Sequence, residues 1–231
     1  MGLGPVWSVL KPIIDVVIFT LIFGQVAKLP SDGVEYAVFA YVALVPWAYF
    51  SQITTATSSS LVNEMSIITK VYFPRLVIPI SSVVSGFIEF CISMTILFIF
   101  LLLNGIQITW QVIYLPFYLL IGVIFGLGIG LWIATLAVRF RDFRNVAGYG
   151  LQILKFTTPI VYSASLVSPQ WLPLYRLNPL YWVVEGFRNV LLQIGESPSL
   201  QMLPALGIGL LLLVSGTFIF WRNERTVVDW L

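Results

Sequence analysis

Three ionisable side chains interrupt long apolar runs: Asp15, Glu89 and Lys155. A charge near the middle of a bilayer costs on the order of 2.5 to 3.5 kcal/mol even on the lenient insertion scale, so each must face protein or water. Glu89 can hydrogen-bond within a bundle, pair with Lys155 or face a substrate. Asp15 can pair with Lys11, one turn away, or reach lipid headgroups. A denser charge cluster is Arg139-Phe140-Arg141-Asp142-Phe143-Arg144-Asn145, whose arginines must lie in water. A third group is aromatic. Within 168–196 stand Trp171, Tyr175, Tyr181 and Trp182, together with Glu185 and Arg188. Such rings stack on the apolar faces of sugars or form an interfacial belt. Trp47 and Tyr49, with Tyr36 and Tyr41, are weaker candidates for the same chemistry in a conduit wall.

Much is excluded. The chain has no histidine, the commonest general base near neutral pH and the commonest metal ligand, and no acids cluster at one interface. No catalytic residue and no metal ligand is therefore assigned. There is no GxxxxGK[ST] phosphate loop, so ATP is not bound that way by this chain. The one cysteine, Cys91, has no partner for a disulfide. A basic surface for nucleic acid is likewise not expected.

The elements that position these residues are membrane helices. Of 231 residues, 59% are hydrophobic and 10% charged, against roughly 25% charged in a soluble domain. Six runs approach the roughly 20 apolar residues a span needs: 5–27, 36–62, 76–103, 112–138, 146–165 and 202–221. Lys28 to Glu35, with Pro30, Asp32 and Gly33, reads as a turn. The second span is apolar to residue 50 and hydroxyl-rich from Ser51 to Ser60. Those hydroxyls either bond back within the bundle or line a polar conduit. Gly122, Gly126, Gly128 and Gly130 are spaced for close helix packing. The segment 168–196 is too proline-broken for a span, and two short helices dipping in from the outer face are expected there.

Residues 63–75, with Glu64, Lys70 and Arg75 around an apolar stripe and a closing Pro74, read as a short amphipathic surface helix. Placing this segment and the arginine cluster on the cytosolic side puts Lys11, Lys70, Arg75, Arg139, Arg141, Arg144, Arg222 and Arg225 inside. Lys28, Arg176 and Arg188 then lie outside, which satisfies the positive-inside bias with both termini cytosolic. The expected fold is all-α, a single polytopic domain over residues 1–231.

Several motifs stand in an order and spacing that resemble a known family. They are Leu3-Gly4-Pro5-Val6-Trp7-Ser8-Val9-Leu10-Lys11-Pro12, Lys70-Val71-Tyr72-Phe73-Pro74-Arg75, Val138-Arg139-Phe140-Arg141-Asp142, Thr158-Pro159, Asn178-Pro179-Leu180-Tyr181 and Glu185-Gly186-Phe187-Arg188. Over nearly its whole length the chain is similar to permease subunits of ABC transporters that export polysaccharides and polyol phosphates. One departure is that family members carry a cytosolic amphipathic segment before the first span, and this sequence starts where that segment ends. The resemblance implies a homodimer of six-span subunits in the bacterial cytoplasmic membrane, joined to separate subunits that bind ATP and Mg. It also implies a glycan or lipid-linked glycan substrate of O-antigen, teichoic acid or capsule type.

Under it, Met65, Ile67, Ile68, Lys70, Val71, Tyr72, Arg75, Arg139, Arg141 and Arg144 are the candidates for coupling to the ATPase. Trp47, Tyr49, Glu89, Trp171, Tyr175, Tyr181, Trp182, Glu185 and Arg188 are the candidates for conduit and gate. The arginines are equally suited to anionic headgroups. The rival readings are an ABC permease for drugs or lipids and a proton-coupled secondary transporter using Asp15, Glu89 and Lys155 as a relay.

Overall fold

A computed structural model describes residues 4–64, 74–140 and 143–223. Among them the chain is helical, with no strand. Helix α1 (Gly4–Phe19) continues as a π-helix, Thr20–Val26. It is followed by α2 (Tyr36–Asn63), α3 (Val77–Leu103), α4 (Leu115–Arg139), α5 (Phe143–Thr157), α6 (Leu172–Arg176), α7 (Pro179–Leu192) and α8 (Leu203–Asn223). Four stretches are long and apolar enough to cross a bilayer: Tyr36–Asn63, Val77–Leu103, Trp110–Val138 and Leu200–Asn223. The chain is a multi-pass membrane protein.

Helix α2 is the hub. Of its most apolar stretch 83% is buried, against 22% for α3 and for α8. The outward faces of α3 and α8 carry Val84, Ile88, Leu103, Leu211 and Val214, all more than half exposed. In water that surface would be unfavourable by about 25 cal/mol per Å², whereas lipid solvates it. Contacts along α2 show the directions of its neighbours. Tyr41 Oη donates to the Ser93 carbonyl at 3.3 Å and Tyr49 Oη to that of Val83 at 3.0 Å, so α3 runs antiparallel to α2. Gly126 meets Phe50 and Thr54 while Gly130 meets Thr57, so α4 runs parallel to it. The alternation gathers Arg75, Arg139 and Arg222 at one end of the bundle, the arginine end. Residues 28–35 and 158–196 lie at the other, the capped end.

The glycines pack as their spacing predicts. A Cβ on Gly130 would stand 2.6 Å from the Thr57 side chain, and one on Gly128 would stand 2.8 Å from the backbone nitrogen of Leu213. The two glycines seat α4 against α2 and α8 respectively. The hydroxyls of α2 divide. Thr54, Ser58, Ser59 and Ser60 bond back to carbonyls of their own helix, and Thr57 meets Ser82 of α3 at 3.0 Å. Ser51 and Thr55 instead reach a cavity.

Two expectations need correction. The fifth apolar run ends as a helix at Thr157, not at residue 165. Pro159 has no N–H for the next turn and its ring disfavours helical geometry at Thr158, so the chain unwinds there. At 1.5 Å per residue α5 is only about 22 Å long. The first apolar run is not uniformly α-helical either, since its last turn and a half widens into the π-helix.

The glycine contacts predict a stability contrast. Gly130→Leu forces α2 and α4 apart and should cost at least the roughly 1 to 3 kcal/mol of an overpacked core. Gly207→Ala, where an added Cβ meets nothing within 4 Å, should leave stability unchanged or slightly raised. Thermal unfolding in detergent compares them.

Candidate functional site

The unwound segment after α5 is the most heavily tied stretch of the capped end. Arg188 of α7 is 1% exposed and reaches back to it, donating from Nη1 to the Pro159 carbonyl at 2.6 Å and from Nη2 to that of Ile160 at 2.8 Å. Its charge is balanced by Glu185, 3.1 Å away, and its guanidinium carbon lies 3.7 Å from the Phe39 ring centroid. Tyr36 Oη donates to the Val161 carbonyl at 2.7 Å. Asn178, which caps α7 by accepting from the Leu180 amide, also donates to Thr158 Oγ1 at 2.9 Å. Ser163 and Ser165 both bond Asp32 in the turn before α2. The carbonyls of residues 159–161, left without helical partners where the chain unwinds, thus find donors from two other helices.

Glu185 is held from a second side. Its Oε2 accepts from the Glu196 amide at 3.2 Å, and a Cβ on Gly195 would lie 2.9 Å from the same oxygen. Gly195 adopts φ +87°, which a larger residue resists. Burial pushes the Glu185 carboxyl above the usual carboxylate range, against the pull of Arg188. At the surface of this block Arg176 pairs with Glu196, whose hydrogen bond holds the guanidinium above its ordinary value.

Tyr181, Trp182, Glu185 and Arg188, expected at a gate, are therefore inside the chain's own core, each 2% exposed or less. Gly186 accounts for part of this, because without a side chain it lets the Tyr118 ring lie flat on α7. Trp182 Nε1 donates to the Arg176 carbonyl at 2.8 Å. Of the expected gate aromatics, Trp171 is exposed, and Tyr175 is half-buried with its hydroxyl 3.1 Å from that of Tyr162. The spacing Glu185-x-x-Arg188, one turn on one helix face, was the available signal for a buried pair.

A second constellation lies at mid-depth on the open side of α2. A cavity of about 410 Å³ between α1 and α3 is lined by Lys11, Asp15, Tyr49, Gln52, Glu89 and Ser93 among others. Another, of about 540 Å³ between α1 and α5, is lined by Lys11, Asp15, Trp47, Ser51, Gln52, Thr55 and Lys155. They share Lys11, Asp15, Leu44, Ala48 and Gln52, so they form one groove floored by α2. The floor residues 44, 47, 48, 51, 52, 55 and 56 follow the helical period, which makes the polar stripe legible after the fact.

The groove is lined by the expected Trp47, Tyr49 and Glu89, by Ser51, Gln52 and Thr55 from the hydroxyl-rich half of α2, for which a conduit lining was one of two expectations, and by Lys11, which was not expected there. Glu89 does not pair with Lys155. The carboxylate is on the α3 side and the lysine on the α5 side, where Lys155 lies in the field of Asp15 and Lys11, with its Nζ 4.5 Å from the Phe19 ring centroid. Among the described residues, ion pairs closer than 4 Å join only Arg176 to Glu196 and Arg188 to Glu185.

The coupling candidates are seen only in part. Met65, Ile67, Ile68, Lys70, Val71, Tyr72 and Arg141 lie outside the described residues, as do the side chains of Arg139 and Arg144. Arg75 stands just before α3, at the arginine end.

Fold and groove define a class: a polytopic helical protein with a polar, aromatic-walled cleft in its membrane-embedded part. The chain belongs to the ABC-2 type transporter family, which matches residues 1–192. It is 27% identical over 226 residues to the O-antigen export system permease protein RfbA of Myxococcus xanthus, covering 96% of this chain and 86% of that protein. To the RfbA permease of Klebsiella pneumoniae it is 29% identical over 190 residues, 81% of this chain and 72% of the relative. To the inner membrane transport permease YadH of Escherichia coli strain K12 it is 24% identical over 230 residues, with 94% and 86% covered.

Arg188→Ala leaves two carbonyls without donors and Glu185 buried without its counter-charge, which should destabilise the protein by about 3 to 5 kcal/mol. Arg188→Lys, lacking the fork that serves both carbonyls, should recover only part. Arg176→Ala, at the exposed pair, should cost about 1 kcal/mol or less. Chemical unfolding in detergent ranks the three.

Proposed function

We propose that this chain is the membrane-spanning permease subunit of an ATP-driven exporter that moves a polysaccharide or a lipid-linked glycan out of the cytosol. The observation that carries the reading is the mid-depth groove, where amide, hydroxyl and charged groups stand between aromatic walls. Sugars present hydroxyls and apolar ring faces together, and Gln52, Ser51, Thr55 and Glu89 beside Trp47 and Tyr49 match both. The O-antigen export permeases among its relatives support the same substrate class.

The fuel comes from a separate ATP-binding subunit carrying ATP and Mg, since this chain has no phosphate loop and needs no cofactor of its own. Met65, Ile67, Ile68, Lys70, Val71 and Tyr72, together with Arg75, Arg139, Arg141 and Arg144, are the residues that seat on that subunit and transmit its closure as a rigid-body push. The arginine end then faces the cytosol, with both termini there, in a bacterial inner membrane. Six spans follow if α1 with its π-helical extension, and α5 with its unwound end, cross beside α2, α3, α4 and α8, while α6 and α7 dip in from outside. Trp171 and Tyr175 stand at the outer mouth.

The polar lining of the groove supports a homodimer. Lys11, Asp15, Gln52, Glu89 and Lys155 cannot be left to lipid at roughly 2.5 to 3.5 kcal/mol for each charge. A second copy laid over α1 and α5 covers them and closes the groove into a conduit.

Two experiments test the reading. A tagged form should copurify with an ATP-binding subunit, and Lys70→Asp combined with Tyr72→Asp should abolish the association. In vesicles containing both subunits, Gln52→Leu with Thr55→Val removes contacts of about 1 kcal/mol each, and ATP-dependent glycan export should fall roughly thirtyfold. Export that needs no ATPase, or that ignores the groove, would sink it.

A further inference from the structure

The charges along the groove cancel. Lys11 and Lys155 supply two cations and Asp15 and Glu89 two anions, and no other lysine, arginine or carboxylate lines either cavity among the described residues. They are also dispersed. Lys11 and Asp15 are on α1, Glu89 is on α3 and Lys155 is on α5, so each sign is met on the way along the groove. Between them stand only neutral hydrogen-bonding groups, Ser51, Gln52, Thr55 and Ser93, and the walls of Tyr41, Tyr49 and Trp47. A path that carries a polyanion needs a surplus of positive charge, because each repeat must be stripped of water and matched. This groove has none. A second copy would double both signs and leave the balance at zero.

A neutral hydroxylated chain meets no such difficulty. Its hydroxyls donate to Asp15 and Glu89, accept from Lys11, Lys155 and the Gln52 amide, and exchange these partners as the chain advances. A repeat carrying a carboxylate or phosphate would pass Asp15 and Glu89 at short range, where little water screens the repulsion. We propose that the groove selects glycans whose repeating units are electrically neutral, and that Asp15 and Glu89 are the specificity-determining residues that turn polyanions away. This rests on the reading of the groove as the glycan path and narrows its substrate class, setting polyol phosphates and uronate-rich polymers aside.

The test uses the transporter with its ATP-binding partner in liposomes and two probes of equal length: a linear neutral glucan oligosaccharide and the same oligosaccharide oxidised at C6 to uronates. Stimulation of ATP hydrolysis is measured against the concentration of each. The neutral probe should act at a concentration roughly tenfold lower. Asp15→Asn combined with Glu89→Gln should erase or reverse that preference. Lys11→Gln combined with Lys155→Gln, the opposite change of charge, should sharpen it, so a general loss of fold cannot imitate the pattern. A uronate probe that acts as well as the neutral one on the unaltered protein, or a preference indifferent to both double variants, overturns charge selection while leaving the glycan path standing. If neither probe acts, the glycan path fails, and this proposal with it.

Discussion

A carbonyl oxygen buried in a protein has no water to turn to, and a chain that stops being helical there must find donors elsewhere. Here the chain stops at Pro159, and much of the capped end can be understood as the answer. Arg188 sends two N–H groups to the Pro159 and Ile160 carbonyls, and Tyr36 supplies a third donor to Val161. Arg188 must then be buried, so it must be neutralised, which brings Glu185 one turn before it. Glu185 in turn needs a partner for its second oxygen, and the backbone at Gly195 and Glu196 folds over to provide it. One proline thus organises α7, the turn before α2 and the loop before α8 into a single block.

Helix α2 divides the rest of the bundle into two kinds of surface. Toward α4 it packs without gaps, with Thr57 against Gly130 and Phe50 against Gly126. Toward α1 it does not pack closely, because residues 51, 52 and 55 are polar and α1 meets them with Lys11 and Asp15. Apolar side chains there would have closed the contact; polar ones hold it open as a groove. The same helix therefore supplies a close-packed seam on one side and a polar groove on the other, and the seam gives the groove a fixed wall. The two lysines and two acids along the groove present both signs of charge in equal number.

A good part of this was readable in advance. The bounds of α2, α3 and α8 fall within a residue or two of the apolar runs, because the length of a hydrocarbon-soluble helix is written directly in hydropathy. The turn at Lys28 to Glu35 and the glycine seams of α4 were also legible, the first from Asp32 and Gly33, which adopt positive φ, and the second from spacing. Trp47, Tyr49 and Glu89, named from the sequence, all line the groove, Trp47 on its α5 side and Tyr49 and Glu89 on its α3 side, with both rings largely buried. Trp171 remained on the surface, whereas Tyr181 and Trp182 went inside, since an aromatic at a membrane interface and an aromatic in a core look alike in a linear sequence. The end of α5 was misjudged for a related reason: the apolar run continues past Pro159 even though the helix does not.

What the linear sequence determined by itself is the four long apolar helices and their order, since these depend on the transfer free energy of each segment taken alone. Tertiary structure alone decided which polar groups share a space. Glu185 and Arg188 could have faced a substrate and instead satisfy an interrupted backbone. Glu89 and Lys155, for which pairing was one of three possibilities, lie on opposite flanks of α1. Such pairings depend on the rotation and tilt of whole helices, which are set by where small residues allow close approach, and no local run of residues encodes them.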